Sequence, residues 1–166
     1  QKIPDALLIL VPRHPERFNA VAKQANAANL RMVRRSEGST CNGEVQLYLG
    51  DTMGEMLLLY AASDVAFVGG SLVPTGSHNM LEPAALGKPV LFGPHRYNFA
   101  EISQLLIDQK AAQEVADSTV LSQAVVKLLQ NRELRLQQGG QGKAVVEQNR
   151  GALKRMSDKI QTLLAL

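Results

Sequence analysis

The chain has 166 residues, only one of them a cysteine, Cys41, and it contains no apolar run long enough to cross a membrane. A single cysteine cannot form a disulfide framework, so a reducing compartment fits. No signal-peptide pattern is visible. Basic residues number 18 and acidic residues 15, which gives a formal net charge of +3. Because this excess is small and no basic block stands out, we expect no nucleic-acid partner.

The composition is that of a globular protein. Hydrophobic residues make up 45% and charged residues 20% of the chain, and its length suits one domain with a full core. The sequence starts with Gln1 rather than Met and reaches an apolar strand almost at once. We therefore expect residues 1–166 to be one domain of a longer protein, with any anchoring segment elsewhere.

Short apolar runs alternate with helical patterns as far as residue 115. The expected strands are 6–12 (buried), 30–34, 45–49, 64–68, 89–92 and 111–115, and the expected helices between them are 16–28, 55–62, 79–86 and 101–109. Three helices follow, at 120–131, 133–149 (interrupted near Gly139 and Gly140) and 152–166. This order predicts an α/β fold with a Rossmann-like parallel sheet and helices on both faces, whose ligands bind at the carboxyl ends of the strands.

The segment 69–83, GGSLVPTGSHNMLEP, is the most informative part of the chain. It joins a strand to a predicted helix, whose free N–H groups and dipole favour an anion. Gly70 would let a ligand approach the backbone, and Glu82 would hold vicinal hydroxyls such as those of a ribose. The polar residues just before the helix are Ser77, His78 and Asn79. The segment therefore predicts a nucleotide or nucleotide-sugar site.

A purely structural interpretation of this segment stays open, because Asn79 and Glu82 also fit the N-cap and N3 positions of an ordinary capped helix, which Gly87 would close. The same holds for Thr52 and Glu55, which match a capping box and need no ligand. Any functional contribution from that loop would come from backbone N–H groups at Met53 or Gly54.

Two further loops follow strands. PRHPER places Arg13 and His14 where a phosphate would approach, although a solvated turn is an equal alternative. In GPHRYNF, His95 and Arg96 are candidates to contact a sugar acid or its phosphate, and a plain connection is the alternative.

The motifs PRHPER, GDTMGE and GGSLVPTGSHNMLEPAALGKPVLFGPHRYNF closely resemble the 3-deoxy-D-manno-octulosonic acid (Kdo) transferases, which are GT-B glycosyltransferases. The likeness covers nearly the whole chain but only the C-terminal half of such an enzyme. It implies transfer of Kdo from CMP-Kdo to a lipid A precursor in lipopolysaccharide biosynthesis, at the cytoplasmic face of the bacterial inner membrane. It also implies that the catalytic base is a glutamate of the N-terminal domain, so no catalytic residue is expected in this chain, and neither a metal nor a cofactor is needed.

By this resemblance, Arg13 would bind the phosphate or the donor carboxylate, and backbone around Met53 would face the cytosine. Residues 77–79 would face the phosphate, and Glu82 the ribose hydroxyls. The complete set of expected donor-binding residues is Arg13, His14, Met53, Gly54, Gly70, Ser77, His78, Asn79 and Glu82.

The resemblance implies that acceptor binding and membrane association belong to other parts of the enzyme, and we expect the isolated chain to be soluble and to bind CMP weakly. The alternatives are another GT-B enzyme that uses a UDP-sugar, either a transferase or a UDP-GlcNAc 2-epimerase, and a non-catalytic nucleotide-binding module.

Overall fold

The computed structural model of the chain describes residues 3–150, and the chain divides into two compact units between Ser63 and Asp64. Each unit is built on a three-stranded parallel sheet. The expected helix at 152–166 lies outside the described residues. Within them, no helix combines the length and the apolar character that crossing a bilayer requires.

In the first unit the strands follow the order β1-β3-β2, and helices α1 and α2 accompany them. The bounds are β1 Leu8–Leu10, α1 Phe18–Ala27, β2 Met32–Arg34, β3 Leu47–Leu49 and α2 Met56–Ala62, with single 3₁₀ turns at Pro15–Arg17 and Arg35–Glu37. The core of this unit joins α1 to the central strand through Ala22, Ala25, Leu47 and Leu49.

In the second unit the order is β4-β5-β6. The bounds are β4 Ala66–Val68, α3 Leu81–Ala85, β5 Val90–Phe92, a 3₁₀ turn at Tyr97–Phe99, α4 Ala100–Asp108, β6 Ala112–Glu114, α5 Ser118–Gln130 and α6 Arg132–Asn149. Side-chain caps begin α5 and α6, with Asp117 accepting from the N–H groups of Thr119 and Val120, and Asn131 accepting from that of Leu134.

The central strand β5 is buried on both of its faces. Val90 and Phe92 belong to one apolar cluster, which includes Leu106 of α4 and Val145 of α6, whereas Leu91 belongs to a second cluster together with residues of α5. Successive side chains of a strand point to opposite faces of its sheet. The second unit therefore has helices on both faces of a parallel sheet, as the alternating pattern predicts.

All six expected strands are present, each shorter than its apolar run. The prediction of a buried strand over 6–12 was wrong in one respect, because Leu7 is 42% and Leu8 52% exposed. The reason lies in the strand order, since β1 is an edge strand of its sheet.

The expected interruption at Gly139 and Gly140 was also wrong, because α6 runs without a break from Arg132 to Asn149. A Cβ at Gly139 would overlap the backbone carbonyl of Gly87, which follows α3, and a Cβ at Gly142 would lie 3.4 Å from the Cβ of Ala84. These glycines sit in the helix so that α3 and α6 can approach closely, and not to end it.

We expect Gly139→Ala to lower the free energy of unfolding by about 1–3 kcal/mol, because the added methyl must push two backbones apart. Gly140→Ala is the matched control. Nothing lies within 4 Å of a Cβ at Gly140, so that substitution should raise stability by up to about 1 kcal/mol through helix propensity alone. Urea denaturation followed by circular dichroism measures both values. Equal stabilisation by the two substitutions would show that α6 does not pack against the backbone of Gly87 at Gly139.

Candidate functional site

A buried serine joins the two loops that follow β4 and β5. Ser71 is 0% exposed. Its hydroxyl donates to the carbonyl oxygen of Val68 (2.6 Å) and accepts from the N–H of Gly93 (2.8 Å), while its own carbonyl accepts from the N–H of His95 (2.9 Å). Because Val68 pairs with Phe92 at the carboxyl ends of the two strands, Ser71 holds the loops together at that edge.

The loop after β4 closes on itself through Gly70, whose φ is +80°. A Cβ at Gly70 would overlap the carbonyl oxygen of Gly76. The N–H of His78 donates to the carbonyl of Gly69 (3.2 Å), which completes the closure. The backbone of its own loop thus requires a glycine at position 70. The sequence had suggested only that this glycine leaves room for a ligand.

Ser77 lies at the end of this loop and is only 2% exposed. The side-chain amide of Asn98 accepts from its N–H (3.0 Å) and donates to its carbonyl oxygen (2.7 Å). The Ser77 hydroxyl donates to the carbonyl of His78 (3.1 Å). The Ser77 hydroxyl proton is therefore used in a hydrogen bond within the protein, and the role of Ser77 toward a phosphate stays a prediction.

Asn79 and Glu82 are brought together, as predicted. The Asn79 side chain accepts from the N–H of Leu81 (3.0 Å) and donates to the Glu82 carboxylate (3.1 Å). Both residues are partly exposed. One side chain thus accepts from the first N–H of α3 and donates to Glu82, although Met80 and not Asn79 occupies the N-cap position.

The helix that follows is shorter than the expected 79–86, since α3 has five residues. It ends as expected at Gly87 (φ +68°), with the N–H of Lys88 donating to the carbonyl of Pro83 (3.0 Å) in a Schellman turn. A helix dipole sums over aligned peptide units, so five residues supply little of it, and Asn79 already occupies the Leu81 N–H. The expectation that the helix dipole binds the anion is therefore not supported by this geometry.

In the first unit, the expected ligand residues lie in the loops that follow β1 and β3. Arg13 and His14 are exposed, and His14 Nδ1 lies 3.6 Å from Glu16 Oε1 at the surface. Met53 is 68% exposed and Gly54 is exposed beside it. Because β1 and β3 pair in parallel, both loops leave from the same edge of this sheet.

Sequence reasoning did not single out a buried carboxylate at that edge, Asp51, whose side chain is 1% exposed. It accepts from Arg34 Nε (2.6 Å) and from the N–H (2.9 Å) and hydroxyl (2.6 Å) of Ser36. Burial raises the pKa of Asp51, but the hydrogen bonds from Ser36 and Arg34 outweigh it and bring the pKa below its usual value. The only signal in the sequence was an acidic residue one position beyond the glycine that follows a strand.

The predicted capping box at Thr52 and Glu55 was wrong. Arg35 holds the Glu55 carboxylate with two nitrogens, Nη2 at 2.8 Å and Nε at 3.0 Å, and the Thr52 hydroxyl donates to the same carboxylate. The hydrogen bond from Arg35 is the main reason that the pKa of Glu55 is lowered. A paired guanidinium outcompetes a backbone N–H for a carboxylate, so α2 begins at Met56 with no side-chain cap.

In the loop after β5, the contacts of Arg96 favour the interpretation that this loop only connects two elements over the one in which Arg96 binds a ligand. Its guanidinium donates to Glu114 (2.7 Å) and to the buried Ser103 (2.8 Å), and it lies 5.9 Å from the ring centroid of Phe92. These contacts tie the loop to α4 and β6. Arg96 thus stabilises the position of this loop within the second unit.

In the second unit, the clefts and the paired polar side chains indicate different candidate positions for a ligand site. A cleft of about 550 Å³ is lined by residues of 97–102 with Leu105 and Asn149, and one of about 350 Å³ lies between α4, β6 and α6. Neither is lined by Asn79 or Glu82. The paired amide and carboxylate are the stronger candidate for a ligand site, because open clefts occur on many surfaces and a few placed polar groups orient a ligand. Among residues 3–150, no group of three or more His, Cys, Asp or Glu side chains is arranged to hold a metal ion.

Comparison with solved structures shows similarity to the C-terminal CMP-Kdo binding domain of WaaA from Acinetobacter baumannii. The two share 40% sequence identity with a TM-score of 0.81, over 84% of this chain and 73% of that one. This chain belongs to the Kdo transferase family. WaaG, a glycosyltransferase involved in lipopolysaccharide biosynthesis, shares 17% identity over 93% of this chain and 38% of its own with a TM-score of 0.54, a level that shows the fold alone.

Curated relatives of similar sequence support the same family assignment. The 3-deoxy-D-manno-octulosonic acid transferases of Haemophilus influenzae and Bordetella pertussis are 46% and 38% identical, over 98% and 97% of this chain. The chain spans 38% of the length of each. No protein-family model matches the chain. The resemblance seen in the motifs is confirmed, and the fold is that of the C-terminal half of a GT-B enzyme.

The buried Asp51 predicts an acid-sensitive fold. Because the folded pKa lies below the unfolded value of about 3.8, the stability contributed by the carboxylate is present above that pH and is lost as the pH falls through the folded pKa. Asp51→Asn should lower the free energy of unfolding at pH 7 by about 2 kcal/mol, the size of a lost charged hydrogen bond. The difference from the unsubstituted chain should shrink at pH 3.

Urea denaturation at pH 7, 5 and 3 measures this, with the exposed Asp5→Asn as control. A difference between the unsubstituted chain and Asp51→Asn that stays constant from pH 7 to pH 3 would show that Asp51 does not titrate as described.

Proposed function

We propose that residues 1–166 form the donor-binding C-terminal domain of a Kdo transferase, an inverting glycosyltransferase that takes Kdo from CMP-Kdo and transfers it to a lipid A precursor in lipopolysaccharide biosynthesis. The observation that carries the proposal is the similarity to the CMP-Kdo binding domain of WaaA, at 40% identity over 84% of the chain. The named Kdo transferases of similar sequence support it as well.

In the second unit, the nucleotide is held by Asn79 and Glu82. The hydrogen bond between them (3.1 Å) orients the carboxylate, and a carboxylate accepts two neighbouring O–H groups, which matches the vicinal hydroxyls of a ribose. The phosphate lies against the loop end at 77–79, with His78 as a hydrogen-bond donor. The phosphate is thus assigned to loop groups and not to the dipole of the short α3, whose first turn contains Glu82.

Taken by itself, the first unit contains Arg13, His14, Met53 and Gly54, for which the resemblance implies donor-binding roles. Loss of CMP leaves growing negative charge on its phosphate, and an arginine guanidinium stabilises such charge through two-pronged hydrogen bonds. The exposure of Arg13 fits a side chain that meets a ligand. Backbone groups near Met53 would face the cytosine base.

Chemistry at the acceptor belongs to the rest of the enzyme. A base outside these residues deprotonates the acceptor hydroxyl, which displaces CMP in one step with inversion. The acceptor site and the attachment to the cytoplasmic face of the inner membrane also lie outside. The isolated chain therefore binds donor without transferring it.

A titration of CMP into the 166-residue chain, followed by ¹⁵N NMR and calorimetry, tests the proposal. Glu82→Gln should weaken binding about tenfold, which corresponds to about 1.4 kcal/mol, because the amide no longer accepts both ribose hydroxyls. Glu133→Gln, an exposed carboxylate in the first turn of α6, is the matched control and should bind normally.

The same titration with UMP and UDP separates the alternatives. Tighter binding of the uridine nucleotides would replace the proposal with a UDP-sugar enzyme, and equal binding of every nucleotide would favour a non-catalytic module. Measurable Kdo transfer by the isolated chain would contradict the assignment of the base to another domain.

A further inference from the structure

The side-chain amide of Asn98 makes a two-way contact with the backbone of Ser77, 21 positions earlier in the chain. Its oxygen accepts from the Ser77 N–H at 3.0 Å, and its nitrogen donates to the Ser77 carbonyl at 2.7 Å. The contact resembles the pairing between neighbouring strands, but a side chain supplies one half of it. Both backbone groups of a residue that is 2% exposed are thereby satisfied.

This contact lies directly beside the proposed nucleotide ligands. Ser77 directly precedes His78 and Asn79, and it follows Gly76, where the backbone turns with φ +86°. A Cβ at Gly76 would lie 3.0 Å from the Asn98 oxygen and 3.1 Å from the Tyr97 ring. The loop after β5 therefore abuts the loop after β4 at the point where the chain enters the nucleotide-binding segment.

Upstream of this point the loop is exposed, including Val73 at 52%. Thr75 makes a side-chain contact with the Gly70 carbonyl at 3.1 Å. Without Asn98, the chain between Gly76 and His78 would lose the two hydrogen bonds that anchor it to a different loop. The direction in which residues 78–82 leave the loop would then be less well defined.

We propose that Asn98 is a positioning residue for the donor nucleotide: it fixes the backbone of Ser77 so that His78, Asn79 and Glu82 are already arranged for binding before the nucleotide arrives. Ordering a loop in advance lowers the entropy that binding would otherwise cost. The inference rests on the proposed function of those three residues as nucleotide ligands.

The chemistry of the contact is selective for asparagine. Aspartate keeps the acceptor for the Ser77 N–H but places a negative oxygen against the Ser77 carbonyl. Alanine removes both hydrogen bonds. The fold should tolerate either change, because Arg96 independently ties the same loop to Glu114 and Ser103.

The test is a CMP titration of the 166-residue chain carrying Asn98→Ala or Asn98→Asp, with Gln104→Ala as control, since Gln104 contacts Arg96 in the same region but not Ser77. We expect both Asn98 variants to bind CMP about tenfold more weakly, which equals about 1.4 kcal/mol, and the control to bind normally. At saturating CMP, the NMR signals of residues 78–82 should return to their positions in the bound unsubstituted chain.

Amide hydrogen exchange in the absence of nucleotide supplies a second readout. The Ser77 N–H should exchange at least tenfold faster in Asn98→Ala, whereas Asn98→Asp should retain part of its protection because it keeps the acceptor. A purely structural role would instead accelerate exchange across β4, β5 and α4 together. Should Asn98→Ala not fold, Asn98→Asp decides the question through its CMP affinity.

The outcomes separate this inference from the proposed function. If Glu82→Gln weakens CMP binding and Asn98→Asp does not, the positioning role is overturned and the nucleotide site stands. If neither the unsubstituted chain nor its variants bind CMP, the proposed function fails and the positioning role fails with it.

Discussion

The hydroxyl of Ser71 accepts the N–H that follows β5 and donates to the last carbonyl of β4. Parallel strands that separate at their carboxyl ends leave such groups without a ladder partner, and an unpaired group buried there is costly. Ser71 supplies both partners at once from a position that is 0% exposed. The loops that carry the candidate nucleotide ligands start from this fixed point, so their geometry depends on it.

A second tie lies further along the same loops, where Asn98 contacts Ser77. Between the two ties, the loop after β4 is free to project into solvent, and Val73 does so. No buried side-chain nitrogen or oxygen among residues 3–150 lacks a hydrogen-bond partner. A polar network that is fully satisfied in this way is rigid, and a rigid edge is what orients a carboxylate such as Glu82.

The sequence could predict what depends on local patterns. Apolar runs located all six strands, and the helix-start spacing of Asn79 and Glu82 predicted that these two residues lie together. It could not predict what depends on distant neighbours. Gly139 does not break its helix, because it meets the backbone at Gly87, and Glu55 does not cap, because Arg35 binds it from 20 positions away. The partners of Ser71 and Asn98 lie 22 and 21 positions off, so no local spacing pointed to them.

The structural and the functional interpretations of the segment at Asn79 need not compete. The Asn79 oxygen serves the Leu81 N–H, and its nitrogen serves one oxygen of Glu82. An ionised carboxylate has about four acceptor positions on its two oxygens. One hydrogen bond from Asn79 therefore leaves Glu82 with the capacity to accept two ribose hydroxyls. The Asn79 oxygen thus satisfies an N–H at the helix start while its nitrogen orients the Glu82 carboxylate, so the features that make this segment look like an ordinary helix start are compatible with the nucleotide site proposed for it.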